Sequence, residues 1–375
     1  MENRTRRVNE IDLLRFLAAL AVVIFHYAFR GYAADDRTTM PYPLLEPLAR
    51  YGHLGVELFF MISGFVILMT ASRADLRAFI VSRITRLYPA FWACCTITFV
   101  SILLLGNGHY NASVVQYLAN MTMLSGFVGV PSIDGVYWSL FVEIHFYVMV
   151  AAIVALRQVH RAQLLLLGWL AATVALEFYP VSPLRRLLLA DYATYFISGA
   201  LCFLIWQTGA ARVRLAGLAV CLVLAIHQTL QSVPRFEAHY DTTLSASVII
   251  ALVTGFHAAM LLVALGRTGW IGLRSWAQVG ALTYPLYLLH QYVGFMIFNR
   301  LYPALDPHLV FWGTVVLMLA ASYAIHRYVE RPLSPLLRHA TEYAWDAPAR
   351  LLSQAARQVS RLTGNVPRPP GPGVS

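Results

Sequence analysis

The chain has little charge and no lysine. Only 12% of its 375 residues are charged, whereas 59% are hydrophobic, and all 28 basic residues are arginine. Soluble globular domains carry about 25% charged residues, so this composition excludes an ordinary soluble protein. With a mean hydropathy of +0.62, the chain is predicted to be an all-α, polytopic membrane helix bundle with the lipid bilayer as a partner.

Cysteine is also scarce, and its placement excludes two further classes. The four cysteines lie inside apolar runs, without a CxxC pair and away from plausible metal ligands. This excludes a disulfide framework and a zinc site, and we expect no metal. The net charge of +10 is typical of arginine-rich loops that face anionic lipid, so we expect no nucleic acid as a partner.

Apolar windows of about 20 residues predict about ten transmembrane helices. Their approximate limits are 12–30, 53–71, 89–106, 135–156, 162–179, 190–207, 213–231, 243–265, 279–298 and 309–327. Arginine is concentrated in alternate connections, and this arginine-rich set includes both ends of the chain. Because cytoplasmic loops are enriched in arginine, both termini are predicted to be cytoplasmic.

The first window contains two ionisable side chains, Arg15 and His26. They are eleven residues apart, which places both on one helix face, roughly 16 Å apart along the axis. Charged groups at bilayer depth are costly and usually face a bundle interior or a wet cavity. The predicted topology puts Arg15 near the inner surface and His26 near the outer one. Simple hydrogen bonding to neighbouring helices is the alternative for each.

Two carboxylates are predicted at depths comparable with that of His26. Glu57 lies just inside the outer end of the second window, and Glu143 lies about two turns into the fourth. An imidazole with a carboxylate partner is suited to act as a general base. His26, Glu143 and Glu57 are therefore candidate catalytic residues. The sequence leaves open which glutamate is the partner, and a solvated interfacial carboxylate is the alternative for Glu57.

A basic pair precedes the third window. Arg83 and Arg86 are three residues apart, on one face of a short amphipathic helix that Pro89 is expected to separate from the span. Two guanidinium groups on one face can bind phosphate oxygens, although such segments also lie on anionic lipid. Together with Arg15 at the same membrane face, they favour a soluble phosphorylated donor.

Six motifs, in order, resemble the acyltransferase-3 family of integral membrane acyltransferases. The resemblance covers roughly residues 8 to 335. It rests on Ile11-Asp12-Leu13-Leu14-Arg15 through His26, Leu54-Gly55-Val56-Glu57 through Phe65, Arg83-Ile84-Thr85-Arg86-Leu87-Tyr88-Pro89, Trp138-Ser139-Leu140-Phe141-Val142-Glu143, Tyr284-Pro285-Leu286-Tyr287-Leu288-Leu289-His290 and Val329-Glu330-Arg331-Pro332. Many relatives have Asp where this chain has Glu57.

The resemblance implies a bacterial O-acyltransferase of the cytoplasmic (inner) membrane. Its acceptor would be a hydroxyl of a surface polysaccharide, a lipid-linked glycan or a small glycoside. The donor would be acetyl-CoA or another short acyl-CoA that enters from the cytoplasm, with Arg83 and Arg86 at its phosphates and Arg15 beside the pantetheine arm. His26 would either deprotonate the acceptor or carry the acyl group itself.

Acceptor contacts are assigned to aromatic and histidine side chains. Tyr284, Tyr287 and His290 share a stripe at three-residue spacing and, with Trp138, are candidate acceptor-binding residues. Packing in an aromatic core is the alternative for the stripe. Ser63-Gly64 is interpreted as a close-packing site between helices, and the loop from Gly106 to Gly135 as a re-entrant lid.

A proton-coupled secondary transporter is the main rival hypothesis, because buried His and Glu side chains also suit such a carrier. A membrane sensor or scaffold is a third. No repeat relates residues 12–156 to 190–327, and a proton symporter has no evident use for the Arg83/Arg86 pair. The enzyme is therefore favoured.

The sequence also predicts a division of the chain. Residues 8–335 are expected to form the membrane acyltransferase domain, and residues 336–375 a cytoplasmic tail. The tail begins as an amphipathic helix, Ala347 to Leu362, and ends in a Pro- and Gly-rich stretch that we expect to be disordered. It is too short for the hydrolase-like domain of some relatives, so a stand-alone form is expected.

Overall fold

The computed structural model describes residues 8–34 and 36–362 of the chain, and within these residues all regular structure is helical. The eleven long helices are α1 (Asn9–Phe25), α2 (Gly55–Ala71), α3 (Leu76–Leu105), α4 (Trp138–Ala155), α5 (Ala162–Phe178), α6 (Ala193–Thr208), α7 (Arg212–Tyr240), α8 (Ala246–Ala264), α9 (Ala277–Leu301), α10 (Pro307–Ile325) and α11 (Arg331–Leu362). Short helices cover Gly31–Ala33, Glu46–Ala49, Val114–Met121, Ser182–Leu187 and Gly269–Gly272.

The predicted membrane helix bundle is confirmed. Each of the ten apolar windows falls on one of α1 to α10, and eight helical segments of the described chain are long and apolar enough to cross a membrane. These eight do not include α6, which is shorter, or α9. The number of spans and the side of each terminus stay predictions.

Helix α9 lies at the centre of the site. It is buried along most of its length and packs against α1, α3 and α10. Because neighbouring helices separate it from lipid, α9 can carry buried polar side chains such as Thr283, His290 and Gln291. This explains why α9 contains so many polar residues for a helix inside a membrane bundle.

Helices α2 and α6 make a close backbone contact. A Cβ atom added at Gly64 would overlap the carbonyl oxygen of Phe196, and one added at Gly199 would overlap that of Met61. Small residues allow membrane helices to approach in this way. The interpretation of Ser63-Gly64 as a packing site is therefore confirmed for Gly64.

The segment between α3 and α4 re-enters the bundle, as the sequence predicts. It descends beside α3, and three contacts mark successive depths: the stacked rings of Tyr117 and Phe99 at 4.5 Å, Trp92 Nε1 donating to the Met121 carbonyl at 2.9 Å, and the Tyr88 hydroxyl donating to the Thr122 carbonyl at 2.8 Å. Tyr88 lies about 25 Å from the C-terminal end of α3. The segment therefore runs back alongside α3 for about half the length of that helix.

Asp134 anchors the returning end of this segment to α9. Its side chain is fully buried and accepts hydrogen bonds from the backbone amides of Val136 (3.1 Å) and Tyr292 (3.0 Å). Burial raises the pKa of Asp134 to about 7, although both amides and the nearby Arg30 and Arg37 favour the charged form. The anchor fixes the chain just before Trp138 and α4.

The chain is helical from Pro307 to Leu362, and α10 and α11 are joined by a π-helical turn, His326–Glu330. The predicted amphipathic helix from Ala347 to Leu362 lies within α11. This helix packs on α3, where Arg77 forms an ion pair with Asp346 at 2.8 Å. Because α11 runs through residues 335 and 336, no break marks the predicted domain boundary. The stretch expected to be disordered, from Val366, lies outside the described residues.

Replacing Gly199 by alanine is expected to destabilise the bundle by about 1–3 kcal/mol, because the new methyl group overpacks the contact with α2. The matched control is Gly255→Ala in α8, where an added Cβ meets nothing within 4 Å. Thermal unfolding in detergent measures both. Equal melting temperatures for the two variants would contradict the close α2–α6 contact.

Asp134 is expected to make stability depend on pH. Its pKa is higher in the folded protein than in the unfolded chain, about 7 against 3.8. Its contribution to the free energy of unfolding is therefore present below pH 4 and is lost as the pH rises through 7. Asp134→Asn cannot titrate. Between pH 4 and pH 8 the melting temperature of the wild type should therefore fall relative to that of Asp134→Asn. A constant difference between the two melting temperatures would contradict a buried carboxyl group with a raised pKa.

Candidate active site

Two neighbouring cavities contain most of the candidate residues. The His26 cavity, about 150 Å³, is lined by His26, Glu57 and Trp138 among others. The arginine cavity, about 220 Å³, is lined by all three candidate arginines, Arg15, Arg83 and Arg86, together with Glu143. Val56 and Tyr287 line both cavities. The two spaces are therefore separated by only a few side chains.

His26 begins a π-helical turn, His26–Arg30, that widens the end of α1. Such turns are frequent at functional sites. Its Nδ1 atom lies 2.8 Å from the Val22 carbonyl oxygen and 3.1 Å from His290 Nε2. A carbonyl oxygen only accepts hydrogen bonds, so Nδ1 carries the proton and Nε2 has the lone pair. This is the tautomer that a general base at Nε2 requires.

His290 contacts the His26 ring at Nδ1 and fixes its orientation. Its Nδ1 lies 2.9 Å from the Tyr287 carbonyl and 3.1 Å from that of Leu286, so its Nε2 is an acceptor for His26. The side chain is fully buried and lines neither cavity. The structure thus places His290 against the Nδ1 side of His26, and its assignment as an acceptor contact stays a prediction.

Glu57 and Trp138 face the same space as His26. Glu57 Oε2 is buried and has no hydrogen-bond partner among the described residues. The remaining walls are largely aromatic and include Phe236 and Tyr240 from the C-terminal end of α7. A free carboxylate oxygen beside aromatic walls can accept a hydrogen bond from a hydroxylated ligand.

The arginine cavity brings together basic groups from two helices. Arg15 comes from α1, and Arg83 and Arg86 come from α3, whose helix continues through Pro89 without the predicted separation. Arg83 donates to Ser82 at 2.8 Å and lies over the ring of Tyr147. Arg86 donates to Glu330 Oε1 at 2.7 Å, so one of its contacts is already occupied.

Glu143 lies in the arginine cavity and is not bonded to His26. Its Oε1 accepts hydrogen bonds from Ser63 (2.8 Å) and Tyr147 (2.6 Å), and its charge is the main one that offsets Arg15. The expectation that a carboxylate fixes the imidazole is therefore corrected, because the Val22 carbonyl and His290 occupy Nδ1. The catalytic assignments of Glu57 and Glu143 stay predictions.

The two tyrosines of the predicted stripe occupy different positions. Tyr287 donates or accepts a hydrogen bond with Ser139 at 2.7 Å and lines both cavities. Tyr284 lines the arginine cavity, where its buried hydroxyl has no partner among the described residues. Both therefore face the site, but Tyr284 is placed beside the arginines rather than beside His26.

The sequence analysis did not identify two groups that belong to the site, the Arg30 guanidinium and the Glu330 carboxylate. Arg30 lines the His26 cavity with Nη1 3.5 Å from His26 Nε2, and its position four residues after His26 was an available signal. Glu330 is a buried carboxylate shared by Arg86 and His326, whose Nδ1 lies 2.9 Å from Glu330 Oε2. The predicted motif contained Glu330, but its partner Arg86 is too distant in the chain to identify from spacing.

A family model and two known proteins match this chain over different parts of its length. A family model described as an acyltransferase domain matches residues 8–327. Acyltransferase MdmB of Streptomyces mycarofaciens is 26% identical, over 90% of this chain and 94% of that protein. Nodulation protein 10 of Rhizobium leguminosarum bv. viciae is 31% identical over 169 residues. These residues cover 39% of this chain and 44% of that protein. No solved structure matches the chain.

The family model covers the helices that form both cavities, together with His26, Glu57, Glu143 and all three candidate arginines. Five of the six sequence motifs lie within this region, and the sixth, Val329-Glu330-Arg331-Pro332, follows it directly. The chain therefore belongs to the acyltransferase-3 family and is a multi-pass membrane acyltransferase.

Proposed function

We propose that the protein is an O-acyltransferase that moves an acetyl or other short acyl group from cytoplasmic acyl-CoA to the hydroxyl of a glycan or glycoside. The observation that carries this proposal is the His26 ring. Its Nδ1 proton is shared by the Val22 carbonyl and His290, so Nε2 carries the lone pair, and Nε2 has a long 3.5 Å contact with Arg30 Nη1 in a cavity adjoining the arginine cavity. A base is needed because a neutral hydroxyl attacks a thioester poorly.

The arginine cavity is the proposed donor site. Arg83 and Arg86 would bind CoA phosphates, since guanidinium groups match phosphate oxygens geometrically. Arg15 lines the same cavity from α1 and would flank the path of the pantetheine arm toward Val56 and Tyr287, the residues common to both cavities. The thioester would then reach His26 without the rest of the cofactor leaving the cytoplasmic side.

The His26 cavity is the proposed acceptor site. Glu57 Oε2 lacks a hydrogen-bond partner among the described residues and would orient an acceptor hydroxyl, while Trp138 would pack against the acceptor's apolar face. His26 Nε2 removes the hydroxyl proton as the oxygen attacks the thioester carbonyl. The C–S bond breaks, and the sulfur leaves with a proton as free CoA. Arg30, whose Nη1 lies 3.5 Å from Nε2, would stabilise the negative charge on the carbonyl oxygen.

A second route uses the same residues in two steps. Nε2 attacks the thioester, CoA leaves, and the acceptor hydroxyl displaces the acyl group from the imidazole. In both routes His290 would stabilise the required tautomer. The family resemblance and the organisms of the two relatives support the cytoplasmic membrane of a bacterium as the location. Family membership leaves no role for the transporter hypothesis.

His26→Ala is expected to lower turnover by at least about 100-fold, because general acid–base catalysis contributes about 10²–10⁴. The matched control is His257→Ala in α8. His257 is also buried, and its Nδ1 also bonds the carbonyl four residues earlier, Val253, but it lines neither cavity. Release of CoA from acetyl-CoA measures both variants after their folding is checked by thermal unfolding. Wild-type turnover in His26→Ala would contradict the mechanism.

Arg83→Ala is expected to raise the KM for acyl-CoA by about 10-fold to 100-fold with little change in kcat, because a charge-assisted hydrogen bond contributes about 1.5–3 kcal/mol. Arg83 is the cleaner test, since removing Arg86 also breaks its pair with Glu330. Arg77→Ala, on the same helix and outside the cavity, is the control. An unchanged donor KM in Arg83→Ala would contradict the assigned donor site.

A further inference from the structure

A third cavity lies against α4, on a helix face adjacent to the one that carries Glu143. Its volume is about 550 Å³, and α2, α4, α5 and α6 form its walls. It exists because α5 packs mainly on α6 and α7, which leaves a gap beside α4. The walls are apolar, with Leu68, Phe146, Val150 and Trp169 among them. We name it the α4–α5 cavity.

This cavity opens on the outer surface of the bundle. Leu164 lies on its wall and is 68% exposed, and α5 is among the least buried of the candidate spans. In a membrane this surface faces hydrocarbon. Apolar cavities do not hold ordered water, and an empty one loses the dispersion contacts of its walls. The occupant that fits is therefore a hydrocarbon chain from the surrounding bilayer.

Two arginines lie at one end of the cavity, in the connection between α4 and α5. Val159 of this connection lines the cavity, and Arg157 and Arg161 are two residues away on either side. Both side chains are exposed, and neither has an ion pair or side-chain hydrogen bond with the described residues. An apolar cavity with unpaired basic groups at its mouth matches a lipid with an anionic head group.

The backbone at Arg157 adds an independent observation. The amide of Arg157 bonds the Val154 carbonyl and that of Gln158 bonds the Ile153 carbonyl, both at 2.9 Å, which ends α4 in a Schellman motif. Arg157 occupies its left-handed position with φ +56°. Glycine is strongly preferred there, so arginine at this position is not explained by the turn.

We propose that the α4–α5 cavity is a binding site for an anionic phospholipid, with one acyl chain between α4 and α5 and the phosphate at Arg157 and Arg161. Helix α4 presents Glu143 and Tyr147 to the arginine cavity and Phe146 and Val150 to this one. The bound chain would therefore support the helix that forms one wall of the active site. This site is separate from the proposed donor and acceptor sites.

The test measures lipid binding, which does not depend on the proposed reaction. The full chain is purified in detergent and incubated with an equal mixture of phosphatidylglycerol and phosphatidylcholine, and the retained lipid is counted by native mass spectrometry. Thermal unfolding with each lipid alone provides a second readout, because a ligand of the folded state raises the melting temperature.

Two variants probe the two halves of the site. Arg157→Gly with Arg161→Gln removes both charges, and glycine preserves the turn. Gly168→Phe fills the cavity without changing charge, because a Cβ at Gly168 meets nothing within 4 Å. The control, Arg267→Gln with Arg274→Gln, removes two charges from another connection.

The wild type and the control should retain phosphatidylglycerol in preference and be stabilised by it. In the charge variant, the preference for phosphatidylglycerol over phosphatidylcholine should fall about fivefold for each arginine removed. Gly168→Phe should retain less of either lipid. Equal retention of the two lipids by the wild type would overturn the proposal. A preference that survives in both site variants would also overturn it, since the anionic lipid would then bind elsewhere.

Discussion

The contact between His26 and His290 determines how the rest of the site can work. Because Val22 and His290 both occupy Nδ1 of His26 as acceptors, the basic nitrogen points away from α9 and toward the cavity. His290 is itself fixed by two carbonyls of its own helix, and the Tyr27 hydroxyl donates to the His290 carbonyl at 2.8 Å. The catalytic geometry thus depends on the packing of α1 against α9.

Charge is distributed unevenly along the path between the two cavities. The arginine cavity contains Arg15, Arg83 and Arg86, but each guanidinium lies near a group that offsets its charge or holds its position, namely Glu143, Ser82 with Tyr147, and Glu330 respectively. Unpaired charge inside a membrane is costly, so such partners allow an arginine cluster to exist without ligand. An incoming phosphate would compete with Glu330 for Arg86 and meet less competition at Arg83.

Much of the fold follows from the sequence because hydropathy directly reports contact with lipid. The ten windows all fall on helices, and the re-entrant segment was recognisable as an apolar run too short to span. Even α9 was identified, although its polar residues place it outside the eight segments that satisfy length and composition alone. The family motifs located the residues that line both cavities.

The details of the site could not be predicted in this way. The π-helical turn at His26 and the helix crossing that places His290 behind it depend on packing between α1 and α9, which periodicity does not encode. A carboxylate partner for His26 was expected on chemical grounds, but a backbone carbonyl and a second imidazole fill that position. Arg86 was expected to be free for phosphate, yet Glu330, far along the chain, pairs with it.

In the proposed mechanism, the acyl donor reaches the arginine cavity from the cytoplasmic face alone. The measurement is the release of CoA from acetyl-CoA that is added outside sealed membrane vesicles of two opposite orientations. An extract of envelope glycans is present both inside and outside the vesicles, so that acceptor is available on either side. Inside-out vesicles, which expose the cytoplasmic face, should release CoA, and right-side-out vesicles should not. Equal release from both, or release from right-side-out vesicles alone, would contradict the account.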